Sequence, residues 1–140
     1  MSLHILKMCV GCDGIDDLRQ WQDGRLSRGE PLIHHTRNMP KRRDEILMGG
    51  SIYWIIKGAI CVRQRILALD PGVDGEGTRF CRMRFDPDLV RTVRVSARPM
   101  QGWRYLEEAD VPADLAPGFA EDAEEMPPAL TRELKALGLL

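Results

Sequence analysis

Gly50-Ser51-Ile52-Tyr53-Trp54-Ile55-Ile56-Lys57-Gly58 is the stretch on which the fold turns. β-branched and aromatic residues run side by side between two glycines, the pattern of a strand. Beyond Gly58, residues 59–69 read as a second strand. Ile60, Val62, Gln64, Ile66 and Ala68 fall on one face, and Cys61, Arg63, Arg65, Leu67 and Leu69 on the other. Gly58 either turns the chain or bulges one long bent strand, and both readings stay open.

Upstream, Pro40 suits the first turn of a short helix over residues 41–48 that ends at Gly49-Gly50. Residues 27–39 read as a polar loop containing Gly29, Pro31 and His34-His35-Thr36-Arg37. Residues 3–10 are short, apolar and contain Ile5 and Val10, as a buried strand does. A turn at 11–14 leads into a helix whose apolar positions include Ile15, Leu18 and Trp21, with Asp13 or Asp16 as its cap.

Downstream, residues 70–77 read as a loop. Residues 78–85 alternate cleanly, Asp86-Pro87-Asp88 breaks the pattern, and 91–98 alternate again. Strands with one apolar and one Arg-studded face belong to a sheet with one wet side. The expectation is an α+β domain: a bent antiparallel sheet or small β-barrel, flanking helices and a C-terminal helix. Residues 1–106 form the core domain. Residues 107–140 form an acidic, Pro-containing segment and an amphipathic helix carrying Leu130, Leu134 and Leu137, packed on that core.

The 140 residues include 20 Lys plus Arg and 21 Asp plus Glu, a formal net charge of −1. That length allows one domain with a real core, and 44% hydrophobic residues exclude a disordered tail. The near-neutral total conceals a division. Residues 1–104 hold 18 basic and 12 acidic side chains, and residues 105–140 hold 2 and 9. Sixteen of the basic residues are Arg, which binds carboxylate and phosphate through forked contacts. A GC-rich genome is the competing cause of that bias.

No apolar run approaches the ~20 residues that cross a bilayer, so no membrane partner is expected. The apolar stretch before Lys7 is too short for a secretion signal, which points to a cytoplasmic protein with reduced thiols. Cys9-Val10-Gly11-Cys12 stands at a strand-to-helix junction, a place suited to redox chemistry. A thioredoxin-like pattern would also need βαβ units and a cis-proline, and neither is evident. Cys61, Cys81, His34 and His35 are scattered, so no metal site and no cofactor is expected, and buried structural cysteines are favoured.

Basic residues interleaved with aromatics on a sheet hold single-stranded nucleic acid, the cations on phosphates and the rings on bases. Lys57, Arg63 and Arg65 lie near Tyr53 and Trp54, and Gln101-Gly102-Trp103-Arg104-Tyr105 supplies a second such cluster. His34, His35 and Arg37 form the rim, just before Lys41-Arg42-Arg43. The opposing reading makes Trp54 and Trp103 core and pairs the arginines with the acidic segment. Adjacent histidines in an extended loop point in opposite directions, so they do not share a metal; one of them is a candidate acid or base.

Cys9-Val10-Gly11, Met39-Pro40-Lys41-Arg42, residues 49–58, Arg63-Gln64-Arg65-Ile66-Leu67 and Gln101-Gly102-Trp103-Arg104-Tyr105-Leu106 together resemble the DUF1489 family, a bacterial family, chiefly alphaproteobacterial. The resemblance spans nearly the whole chain and brings no established activity. The layout of helix, Gly-Gly, Lys-bearing strand and Arg-bearing strand is also similar to PUA-like domains such as ASCH and EVE, which implies a small barrel and a link to RNA or modified bases. The expected function is an RNA- or nucleotide-binding module. The alternatives are a small enzyme acting on an anionic metabolite or nucleotide, and a protein–protein interaction module.

Overall fold

The computed structural model describes residues 2–115, so the amphipathic helix expected over 129–140 lies outside the described residues. The elements run β1 (Leu3–Met8), α1 (Ile15–Ser27), β2 (Ile33–Thr36), α2 (Arg43–Ile46), β3 (Ser51–Ile56), β4 (Ala59–Val73), β5 (Arg79–Ser96) and β6 (Trp103–Glu107), then a 3₁₀ turn at Glu108–Asp110. The six strands form one open sheet ordered β2-β5-β4-β3-β1-β6. The α+β class holds, but the sheet is mixed: β1 and β3 pair in parallel and the other neighbours antiparallel. An all-antiparallel sheet is therefore corrected. β1 and β3 are joined through α1, β2 and α2, and a parallel pair requires such a crossover.

Gly58 turns the chain. Ile56 pairs with Ala59, and both connecting residues are left-handed, Lys57 at φ 50° and Gly58 at φ 77°. Two such residues make the tight turn whose twist matches a β-hairpin. The next hairpin differs from expectation too. β4 runs through Pro71 to Val73, and the loop shrinks to residues 74–78, where Asp74 Oδ1 accepts the Glu76 and Thr78 backbone N–H groups. Pro71 is tolerated because β3 pairs only with residues 59–65 of β4, leaving that side of the distal strand open.

β5 also continues through Asp86-Pro87-Asp88 instead of breaking. Residues 86–88 bow out opposite Arg65, the Asp88 N–H bonds to Asp86 Oδ1, and pairing resumes beyond. Residues 92–94 bow out opposite Cys61 and pair instead with the segment after β6, through a Thr92–Asp114 bridge and a Val93 N–H to Ala113 O bond.

These irregularities redistribute the faces. The main core, beneath α1, collects Leu3, Ile5, Ile52, Trp54, Val62, Ile66, Leu69, Met83 and Phe85 against Ile15 and Leu18. Ile60 joins Tyr53 and Ile55 in a smaller cluster on the opposite face, with Leu6 and Leu106. The strict alternation expected along residues 59–69 is corrected: register shifts at Ile60/Val62 and Ile66/Ala68 put Ile60 apart from Val62 and bring Leu69 in with Ile66. α1 is tied down by polar contact as well. The buried amides of Gln22 and Gln64 exchange two 2.8 Å hydrogen bonds, and Gln64 also accepts from Trp54 Nε1 and donates to Asp86 O.

Candidate functional site

Residues 33–36, read as loop, form strand β2 on the sheet edge, paired with residues 84–81 of β5. The strand separates its two histidines, since successive side chains leave on opposite faces. His34 turns toward the core, its ring edge-on to Trp54 at 6.0 Å. Burial, then the charges of Lys7 and His35, push its pKa down to about 4. His35 is exposed on the other face, 4.7 Å from the Phe80 ring of β5.

That contact adjoins a group of basic side chains on β5. Phe80, Arg82 and Arg84 share a face of β5, because Cys81, Met83 and Phe85 take the buried positions between them. Arg82 holds its guanidinium 5.9 Å from the Phe80 ring. On one side, Phe80 joins Arg37 and Arg79 in lining a groove of about 640 Å³; on the other, Arg82 and Arg84 line one of about 630 Å³ with Ile33 and two carboxylates, Glu30 and Asp70. Gly72, opposite Phe80 on β4, makes room for its ring: a Cβ there would sit 2.3 Å from Phe80 Cζ. Among the described residues, none of Arg37, Arg79, Arg82 and Arg84 lies within ion-pair distance of a carboxylate.

The other residues named from sequence do not gather here. Lys57 occupies the β3–β4 turn, at the far end of β4 from Phe80. Arg63 is engaged: its guanidinium donates two 2.7 Å bonds to Asp114 and one of 3.1 Å to Ser51 Oγ. Arg65 is exposed, opposite Ser51. Gln101 is exposed before the turn residue Gly102. Trp103 packs on the main core against Tyr105, at 4.9 Å, and donates its Nε1–H to Asn38 O. Arg104, one residue on, is exposed opposite Leu6, on the other face from Trp103.

Part of the charge division is settled within the fold. Glu107 pairs with Arg42, Glu108 with His4, and Asp114 with Arg63. Those contacts fasten residues 107–115 to the sheet. Phe80, Arg79, Arg82 and Arg84 are not among the candidates named from sequence, although the alternation of Phe80, Arg82 and Arg84 is readable. What the sequence did not reveal is that α1 covers the opposite face.

Cys9 and Cys12 are joined as a disulfide, correcting the expectation of reduced thiols; their two-residue spacing brings them together at the end of β1. Cys81 is buried, and burial pushes its thiol pKa up. No group of three or more His, Cys, Asp or Glu side chains suited to a metal occurs among the described residues, and no helix there is long and apolar enough to cross a membrane.

No curated protein and no solved structure matches the chain significantly. A family model does match, over residues 5–140, and by that match the chain belongs to DUF1489, described as a protein of unknown function.

Proposed function

We propose that the protein binds single-stranded nucleic acid, RNA in the first instance, along the groove that Phe80 lines and the groove of Arg82 and Arg84. The observation that carries this reading is the set of four arginines without carboxylate partners among the described residues, two of them lining a groove with Phe80 and a third 5.9 Å from its ring. Arg37 and Arg79 serve one groove and Arg82 and Arg84 the other, each offering a planar fork to a phosphate. Phe80 and His35 offer ring surface on which a base stacks. Of the residues named from sequence, His35 and Arg37 belong to this site; Arg63 and Trp103 serve structure.

The test is fluorescence anisotropy with a labelled single-stranded RNA, titrated at several salt concentrations. Affinity should fall steeply with salt, and Arg82→Ala or Arg84→Ala should weaken binding and lower the log–log salt slope by about 1 each. Lys57→Ala, at the far hairpin, should leave binding unchanged. Salt-independent binding, or an equal loss from Lys57→Ala, would overturn the reading.

A further inference from the structure

The disulfide opens onto a second feature, a cleft that shares no lining residue with the arginine grooves. Cys9 and Cys12 border a cleft of about 280 Å³ walled by Met8, Leu18, Trp21 and Trp54, with His34 also on its lining. Both cysteines are only half-buried. The cleft sits at the C-terminal end of β1, beside its parallel partner β3, the end at which parallel sheets open crevices for ligands. The parallel pair with α1 in its crossover also supplies the strand–helix–strand setting in which a CxxC motif reads as redox-active.

As a staple, this disulfide does little. It joins residues three apart in sequence, and the entropy removed by closing a loop is smallest for the shortest loops. Cys9 already holds its place by donating its backbone N–H to Ile55 O at 2.9 Å. The bridge thus links no distant parts of the fold, yet it is formed at the mouth of an apolar cleft.

We propose that Cys9 and Cys12 are a redox-active dithiol–disulfide pair whose substrate is a disulfide carried by a polypeptide with an apolar side chain beside its cysteine. The cleft walls take that side chain. Cys9 is the attacking sulfur and Cys12 the resolving one, because the charges around them differ. Lys7, two residues before Cys9 and five before Cys12, donates its Nζ–H to Gly102 O at 3.3 Å and acts electrostatically on His34 of the cleft lining. It is thus a cation near the cleft that favours a Cys9 thiolate. On the Cys12 side, the Asp17 carboxylate lines the cleft and accepts the Asp13 N–H at 2.7 Å, which disfavours a second thiolate there. His34, neutral at physiological pH, brings no opposing charge.

In the reaction, the Cys9 thiolate attacks one substrate sulfur, a Cys9–substrate bond forms, and the substrate's S–S bond breaks. The departing sulfur leaves as a thiolate and takes a proton from water. Cys12 then gives its proton to water and attacks Cys9 Sγ, closing the Cys9–Cys12 bond and releasing the second substrate thiol. Two electrons pass from the pair to the substrate. An external dithiol reductant returns the pair to its reduced form by the reverse exchange.

Two measurements test this. In the full-length wild-type chain, alkylation and mass spectrometry across a series of glutathione redox buffers should find both oxidised and reduced Cys9–Cys12. The second uses a short Leu-Cys-Leu peptide blocked as its thionitrobenzoate disulfide. Cys12→Ser should form the peptide adduct at Cys9 about tenfold faster than Cys9→Ser forms one at Cys12. It should also react faster with this peptide than with a Gly-Cys-Gly analogue or glutathione blocked as the same thionitrobenzoate disulfide, all three sharing one leaving group. A pair that stays oxidised in every buffer overturns the proposal, as does an adduct rate independent of variant. Equal rates with all three probes would overturn the apolar-polypeptide substrate. The wild-type measurement stands even if a serine variant misfolds.

Discussion

Arg63 and Asp114 meet fork to fork, with both carboxylate oxygens accepting from the guanidinium at 2.7 Å. Fifty-one positions separate them, and the pair fastens the chain after β6 across the middle of the sheet. Asp114 holds the Arg63 guanidinium more firmly protonated than usual. Two-point geometry makes such a pair stronger than an ordinary surface contact, while partial exposure limits its worth. A double-mutant cycle of Arg63→Ala and Asp114→Ala, read by urea denaturation, should return a coupling of about 1 kcal/mol. Zero coupling would mean that the backbone bonds of residues 113–115 hold the segment unaided.

The core amide network should prove far more costly to disturb. Gln64 is fully buried and satisfies the Gln22 amide, Trp54 Nε1–H and the Asp86 carbonyl together. Gln64→Leu leaves all three without a partner inside the core. At about 1–3 kcal/mol for each stranded group, the loss should reach at least 3 kcal/mol. Chemical denaturation measures it, and a loss below 1 kcal/mol would mean that water or rearrangement replaces the network.

How far this fold was legible depends on whether a residue's partner is local. Ile52 to Ile56 declared a strand by themselves, and Arg82 and Arg84 declared an exposed face by alternation. β2 did not, because His34 and His35 carry no strand preference; their conformation comes from the ladder with Arg82 and Met83. The parallel β1–β3 pairing is a relation between segments more than forty residues apart, invisible to local pattern. For the same reason the sequence leaves Trp103 open between a binding ring and a core residue. Its place in the core follows from Asn38, which accepts its N–H. The candidate site is half legible: the sequence names His35 and Arg37, while the place of Phe80 depends on His35 of β2 and Gly72 of β4, which no local pattern brings together.

Gly72 permits a separation of binding from stability. Substituting alanine puts a Cβ within 2.3 Å of Phe80 Cζ, so the ring must leave the place it holds over Gly72. The displaced group is the end of a side chain, so the stability cost should stay near ~1 kcal/mol or below. Loss of one stacking surface is worth about 1–3 kcal/mol per base, which is a fall in RNA affinity of fivefold or more. Anisotropy and thermal melting on the same sample check both halves. Unchanged affinity would remove Phe80 from the site.

His34 gives the fold a dependence on pH whose sign is set by its depressed pKa. The unfolded chain takes up this proton near the ordinary value of 6.5, whereas the folded chain does so only at about 4. Between those values the unfolded state holds more protons, so acid favours unfolding and stability falls as the pH drops from 6.5 toward 4. Below that window both states are protonated and this contribution levels off. The ring still meets some solvent, so the loss should be about 1–2 kcal/mol, less than the full shift implies. His34→Phe keeps a ring against Trp54 and removes the proton. The difference between wild type and variant, taken from urea midpoints across pH 7.5 to 4.5, isolates the histidine from carboxylates such as Glu30 and Glu45, whose lowered pKa values act at the acid end of the range. Parallel curves for the two proteins would show that His34 is as easily protonated in the fold as outside it.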